Sequence, residues 1–110
     1  MELHRKKCRP CEGGVAPLSP AKEEELAARL ENWTLAREGN HRIRKVFQFS
    51  SFPGAIDFVN RVAEVAEAEG HHPDLTIHYG KVTVELTTHA VAGLTENDFI
   101  LAAKIDETAR

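Results

Sequence analysis

Apolar residues along this chain switch repeatedly between helical spacing and alternation, and each switch marks an element. The first periodic stretch follows Ser19-Pro20, an N-cap followed by proline at the first helical position. Leu26, Ala27 and Leu30 then recur at helical spacing, which predicts a first helix to about Glu31. From Trp33 to Phe49 the spacing becomes alternating around Glu38-Gly39-Asn40, the pattern of a hairpin. A three-residue loop there sets Leu35 opposite Ile43 and Trp33 opposite Lys45, so Trp33, Leu35, Ile43 and Phe47 share a face. A two-residue loop would split that apolar set between faces, which disfavours it. Arg42 and Arg44 then point the other way, and with Lys45 they are read as a solvated sheet face.

Ser50-Ser51 opens the longest helix, with Pro53 in its first turn. Phe52, Ala55, Ile56, Val59, Val62, Ala63 and Ala66 step by three and four as an amphipathic stripe, and Gly70 is the C-terminal stop. A second hairpin is expected from His72 to His89, with Tyr79-Gly80 at its turn. A two-residue loop pairs His78 with Lys81, Ile77 with Val82 and Leu75 with Val84, which gathers the apolar residues on one face. Thr95-Glu96-Asn97-Asp98 has capping-box spacing with Asp in the acidic position. It starts a last helix with Phe99, Ala102, Ala103 and Ile105 inward. The order helix, two strands, helix, two strands, helix predicts an α+β two-layer sandwich, its helices on one face of an antiparallel sheet.

Composition narrows the class without choosing a function. With 110 residues, 42% of them hydrophobic and 28% charged, the chain fits one domain with a modest core. A net charge of −3 gives no reason to expect nucleic acid as a partner. The charged start lacks the apolar stretch of a signal peptide, and no run approaches the ~20 residues of a membrane span. These features predict a cytoplasmic protein with reduced cysteines. Residues 1–17 are basic, rich in turn formers and aperiodic, and are read as a flexible tail ahead of a single domain over 18–110. Cys8-Arg9-Pro10-Cys11 in that tail is half of a zinc site and would need His4 plus another ligand, or a second subunit. The alternative is a solvated tail with incidental thiols.

The chemistry concentrates at His71-His72-Pro73 and His89. Imidazole both gives and takes protons near neutral pH, and Pro73 biases His72 toward extended geometry, sending the two rings in different directions. Continued outward, the second hairpin's register sets His72 opposite Thr87 and His71 opposite Thr88. His89 becomes a diagonal neighbour of His72, about 7–8 Å away at Cα. Thr87 and His89 share the face of His72, while Thr88 points with Val84 and Leu86 toward the layer beneath. The open end of the hairpin thus pools imidazoles, hydroxyls and unpaired backbone groups. Glu67, one turn before His71, can orient an imidazole and favour its protonated form. Asp98 can cap the last helix, serve the site, or both. Three histidines with Glu67 could instead bind zinc, but adjacent histidines rarely ligate one ion together, so no metal is expected. His41 and His78, beside turns, are read as surface or hydrogen-bonded residues.

The run Glu67, three residues, His71-His72-Pro73, five residues, Tyr79, nine residues, His89, eight residues, Asp98 resembles the signature of the pterin-4a-carbinolamine dehydratases. The resemblance extends through Trp33, Val46-Phe47-Gln48-Phe49, Ala55, Phe58 and Gly93-Leu94-Thr95, and covers about residues 18–108. It departs at Ala90, where many members carry an acid. It implies a four-stranded antiparallel sheet with three helices on one face. It also implies loss of water from a 4a-hydroxytetrahydropterin to give a quinonoid dihydropterin, in tetrahydropterin recycling, without metal, redox cofactor or covalent nucleophile. His71 and His72 would be the principal acid and base, with His89 holding substrate and assisting. Gly70, His71, His72, Thr87, Thr88 and His89 would contact the pterin, supported by Glu67 and Asp98. A homodimer or homotetramer is expected, since edge strands invite pairing between copies. Because some animal members also stabilise dimers of a homeodomain transcription factor, a pterin-binding or protein-interaction scaffold with little turnover is the alternative. A metal-binding redox accessory using Cys8 and Cys11 is a third reading.

Overall fold

The computed structural model describes residues 2–8 and 16–109. In chain order the regular elements are α1 (Pro20–Ala27), β1 (Thr34–Ala36), β2 (Arg42–Gln48), α2 (Phe52–Glu69), β3 (Asp74–His78), β4 (Lys81–Leu86) and α3 (Glu96–Ala109). Short 3-10 turns lie at Leu3–Arg5 and His89–Val91. The strands form one antiparallel sheet in the order β1-β2-β4-β3. One sheet face, carrying Ile43, Phe47, Val82, Val84 and Leu86, joins Leu26, Phe58, Val62, Phe99 and Ile105 of the helices in a single core. The outer face shows exposed Arg44, Val46 and Gln48. This is an α+β sandwich of one sheet and three helices. No helix among the described residues is long and apolar enough to cross a membrane.

Turn and cap chemistry set the register as the spacing predicts. Leu35 faces Ile43. His78 faces Lys81, Ile77 faces Val82 and Leu75 faces Val84. At the β3–β4 turn, a side chain on Gly80 would meet the Phe49 carbonyl at 2.5 Å, so only glycine lets that backbone come so close. Ser19 and Ser51 cap α1 and α2, accepting from the amides of Lys22 and Gly54 at 3.2 and 3.1 Å. Gly70 ends α2 in the left-handed conformation (φ 67°). The Gly70 and His71 amides then donate to the carbonyls of Glu67 and Ala66, the two bonds of a Schellman motif.

Five expectations need correction. The first helix stops at Ala27, because Arg29 and Leu30 close tighter i→i+3 turns onto Leu26 and Ala27, and Asn32 (φ 65°) turns the chain into β1. Lys45 lies on the core side with Ile43 and Phe47. Its side chain is only 15% exposed, its ammonium is bonded to Asp106 at 2.7 Å, and it sits 4.8 Å from the Phe47 ring centre. Phe52, counted in the apolar stripe, is exposed at the start of α2, whereas Phe58 fills the core. The hairpin does not extend to His72 and His89: pairing ends at Asp74 and Glu85, and β4 ends at Leu86. Residues 2–8 are not a loose arm: Leu3 is buried in the core, and Lys6 pairs with Glu96 on α3 at 2.9 Å.

Candidate active site

The C-terminal end of α2, the segment after β4 and the N-terminal end of α3 meet at one pocket of about 240 Å³. Gly70, His71, His72, Thr87, Thr88 and His89 line it, together with Ala90 and Asn97. The last two were not singled out from sequence as site residues; Asn97 sits beside Asp98, and that adjacency was its only signal. A wider groove of about 1350 Å³ lies between the Leu3–Arg5 turn, the end of α3 and β2, and no signature residue lines it. The smaller pocket is therefore the candidate site.

Asp98 organises this pocket from beneath. Its carboxylate is fully buried. Oδ2 accepts from the Thr95 amide at 2.9 Å and from the Thr88 hydroxyl at 2.8 Å, while Oδ1 lies 2.6 Å from His71 Nε2. The Thr95 hydroxyl completes the chain, 2.8 Å from that of Thr88. Asp98 thus caps α3 and holds an imidazole at once. A buried carboxylate with three donors is satisfied, and none of the buried polar side-chain atoms among the described residues lacks a partner.

The three imidazoles stand in different surroundings. The His71 side chain is only 11% exposed and is locked by Asp98. His72 is 62% exposed and its Nε2 pairs with Glu67 at 2.9 Å, so Glu67 orients the second ring of the pair. His89 starts a 3-10 turn instead of ending a strand. That turn is closed by the Thr88–Gly93 bridge and by Ala92 in the left-handed region (φ 56°). The His89 ring is exposed and makes no hydrogen bond to a described residue.

The threonines divide their work. Thr88 faces the helix layer through Asp98, while Thr87 is also buried, its hydroxyl donating to the His41 carbonyl at 2.8 Å. His41 is a hydrogen-bonded residue: Nδ1 lies 2.8 Å from Oε2 of Glu23, a buried carboxylate whose Oε1 accepts from Arg37 at 3.0 Å. Glu23 shares a helical stripe with Leu26 and Leu30, which was the sequence signal for its burial. Tyr79 lies at the β3–β4 turn, the opposite end of the hairpin, 79% exposed. Among the described residues no cluster of three or more His, Cys, Asp or Glu could hold a metal ion. His4 faces Glu2 and Glu107, and Cys8 faces Glu69 and Asn97. Cys11 lies outside the described residues.

Residues 16–108 match the family model for pterin 4 alpha carbinolamine dehydratase. The chain belongs to this family. A dehydratase-family relative from Rubrobacter xylanophilus is 47% identical over 105 residues, 96% of each chain. One from Halorhodospira halophila is 48% identical over 106 residues, again 96% of each. Both names assign them provisionally as pterin-4-alpha-carbinolamine dehydratases. The crystal structure of a transcriptional coactivator/pterin dehydratase from Brucella melitensis superposes with a TM-score of 0.80 at 31% identity, covering 86% of this chain and 99% of that one. In this dehydratase-family chain the signature residues Glu67, His71, His72, His89 and Asp98 gather at one end of the hairpin, and Tyr79 does not.

Proposed function

We propose that this chain dehydrates a 4a-hydroxytetrahydropterin to the quinonoid dihydropterin by histidine acid–base catalysis. The observation that carries the proposal is the His71–Asp98 pair, an imidazole fixed by a buried carboxylate at the wall of a pocket shared with two more imidazoles. A volume of about 240 Å³ falls just below the usual range for drug-sized ligands and suits a small flat heterocycle. The family match supports the pterin as that heterocycle.

Hydroxide leaves poorly, so the departing 4a oxygen needs a proton while the N5 proton is removed. His71 and His72 supply that acid and base. With Nε2–H held by Asp98, a neutral His71 presents Nδ1 as an acceptor, and a charged ring presents it as a donor. His72, steered by Glu67, is the more open partner. His89 contributes an exposed imidazole to the substrate contact, and the pocket backbone at Gly70 and Ala90 offers groups for the pyrimidine edge. The residues use no redox step and no covalent intermediate, and the role that fits is tetrahydropterin recycling. Copies of the chain associate as a dimer or tetramer in this proposal, supported by the open edge of β3, where Ile77 is exposed.

The test is the rate of dehydration of chemically generated 4a-hydroxytetrahydropterin with and without protein. Acceleration above the unaided rate supports the enzyme. Binding of a non-reactive dihydropterin without acceleration would replace it with a pterin-binding scaffold.

A further inference from the structure

Residues 2–8 converge on the back of the active site. Lys104 Nζ on α3 donates to the His4 carbonyl at 3.0 Å and lies 3.6 Å from Glu69 Oε2. Cys8 touches both helix ends that build the pocket. Its amide donates at 2.8 Å to Oε1 of Glu69, the last residue of α2. Its thiol lies 3.5 Å from the carbonyl oxygen of Asn97, in the first turn of α3. These contacts sit one residue before Gly70 and one before Asp98.

We infer that Glu69 is a positioning residue: by accepting the Cys8 amide and facing Lys104, it lets the docked segment 2–8 fix the end of α2 against the start of α3, and so sets the His71–Asp98 hydrogen bond. The kinetic part rests on the dehydratase reading; the geometric part does not. His71 leaves α2 through the two Schellman bonds, so a shift in the last helical turn carries straight to its ring. A carboxylate at a helix C-terminus opposes the macrodipole, which makes Glu69 a poor choice for helix stability alone. Its side chain is only 12% exposed. Burial opposes its ionisation, but the Cys8 amide and the Lys104 ammonium outweigh that and hold its carboxyl below the ordinary glutamate value. The partner cysteine is inert: burial, then the Glu69 charge, push its thiol up to about 12, so it stays protonated beside the Asn97 carbonyl.

The experiment compares the full chain with Glu69→Ala and Glu69→Gln, each also made in a His71→Ala background. Glu69→Ala is expected to lower kcat about tenfold with KM within about twofold, since small misplacement of a reacting group costs rate more than binding. Glu69→Gln keeps an oxygen for the Cys8 amide and recovers most of the loss. Without His71, Glu69→Ala should change the residual rate by less than about twofold, because its effect passes through that ring. In NMR spectra of the imidazole N–H groups, the His71 Nε2 proton should move in Glu69→Ala and return in Glu69→Gln. That reading needs no turnover, so a wild-type chain that fails to dehydrate the pterin sinks the dehydratase proposal while the spectra still decide this one. A lower Tm with kcat and the His71 resonance unchanged would overturn it. If Glu69→Ala does not fold, Lys104→Met carries the same test, with a drop in kcat of about threefold and the same resonance displaced.

Discussion

Replacing Asp98 by asparagine changes almost no volume and separates the residue's two duties. Two donors meet at Oδ2, from Thr88 and Thr95, and one ring nitrogen meets Oδ1, from His71. Asparagine has one oxygen, and the orientation that keeps both threonine donors turns its NH₂ toward His71 Nε2. That nitrogen must then accept, so the proton of the neutral ring moves to Nδ1, the atom that the proposed mechanism offers to substrate. Hydrogen bonds to charged groups contribute about 1.5–3 kcal/mol and neutral ones about 1 kcal/mol. Relief from burying a charge offsets part of the difference. The expected stability loss is therefore about 1–3 kcal/mol, a drop of about 4–24 °C in Tm at roughly 4–8 °C per kcal/mol. Activity should fall much further, by about 10²–10⁴ in kcat/KM, the weight of a positioned acid or base. The assay follows dehydration with the unaided rate subtracted, well below the variant's Tm, beside thermal melts. A melt shift of this size with kcat/KM reduced less than about threefold would leave Asp98 as a helix cap alone, with no part in holding His71 for the reaction.

Four further outcomes are expected. His89→Ala should weaken binding of a non-reactive dihydropterin and slow turnover with Tm nearly unchanged, since the ring is exposed; normal binding with an earlier melt would make it structural. Glu23→Gln leaves Arg37 or His41 poorly paired and should cost about 1–3 kcal/mol in urea unfolding, less than the 3–5 kcal/mol of a fully buried pair because both partners remain partly exposed. Removing residues 1–8 takes Leu3 out of the core and should lower stability by about 2–4 kcal/mol, where a loose tail would cost nothing. Because folding lowers the pKa of Glu69, its stabilisation is present at neutral pH and lost as pH falls below the ordinary value of about 4.3. The stability gap between wild type and Glu69→Gln should accordingly shrink below about pH 4.

Much of the fold is legible because it rests on local chemistry. The period-two set Leu35, Ile43 and Phe47 selects one hairpin register, and Ser51, Pro53 and Gly70 bracket α2 through caps that operate within a few residues. The pocket follows from these, since Gly70 must deliver His71 to the mouth of the second hairpin. What escaped depends on distant partners. Leu3 has no periodic neighbours, and only α3 and Glu96 explain why its segment docks. Lys45 was grouped with Arg42 and Arg44 by charge, although its place between Ile43 and Phe47 put it inside; Asp106, 61 residues away, is what makes that tolerable. The strand to His89 failed because Thr88 pairs with Gly93 in place of His71. The partners of the two imidazoles likewise needed the folded chain, with Asp98 taking His71 and Glu67 taking His72.

The proposed mechanism requires the paired imidazoles for the chemistry itself and not merely to hold a pterin. A single measurement addresses it: the double variant His71→Ala/His72→Ala, assayed for dehydration of 4a-hydroxytetrahydropterin and titrated in parallel with a non-reactive dihydropterin. Catalysed turnover is expected to fall to the unaided rate while the folded variant still binds the analogue, with affinity reduced through lost contacts. Wild-type kcat/KM in that variant would exclude both imidazoles from the chemistry.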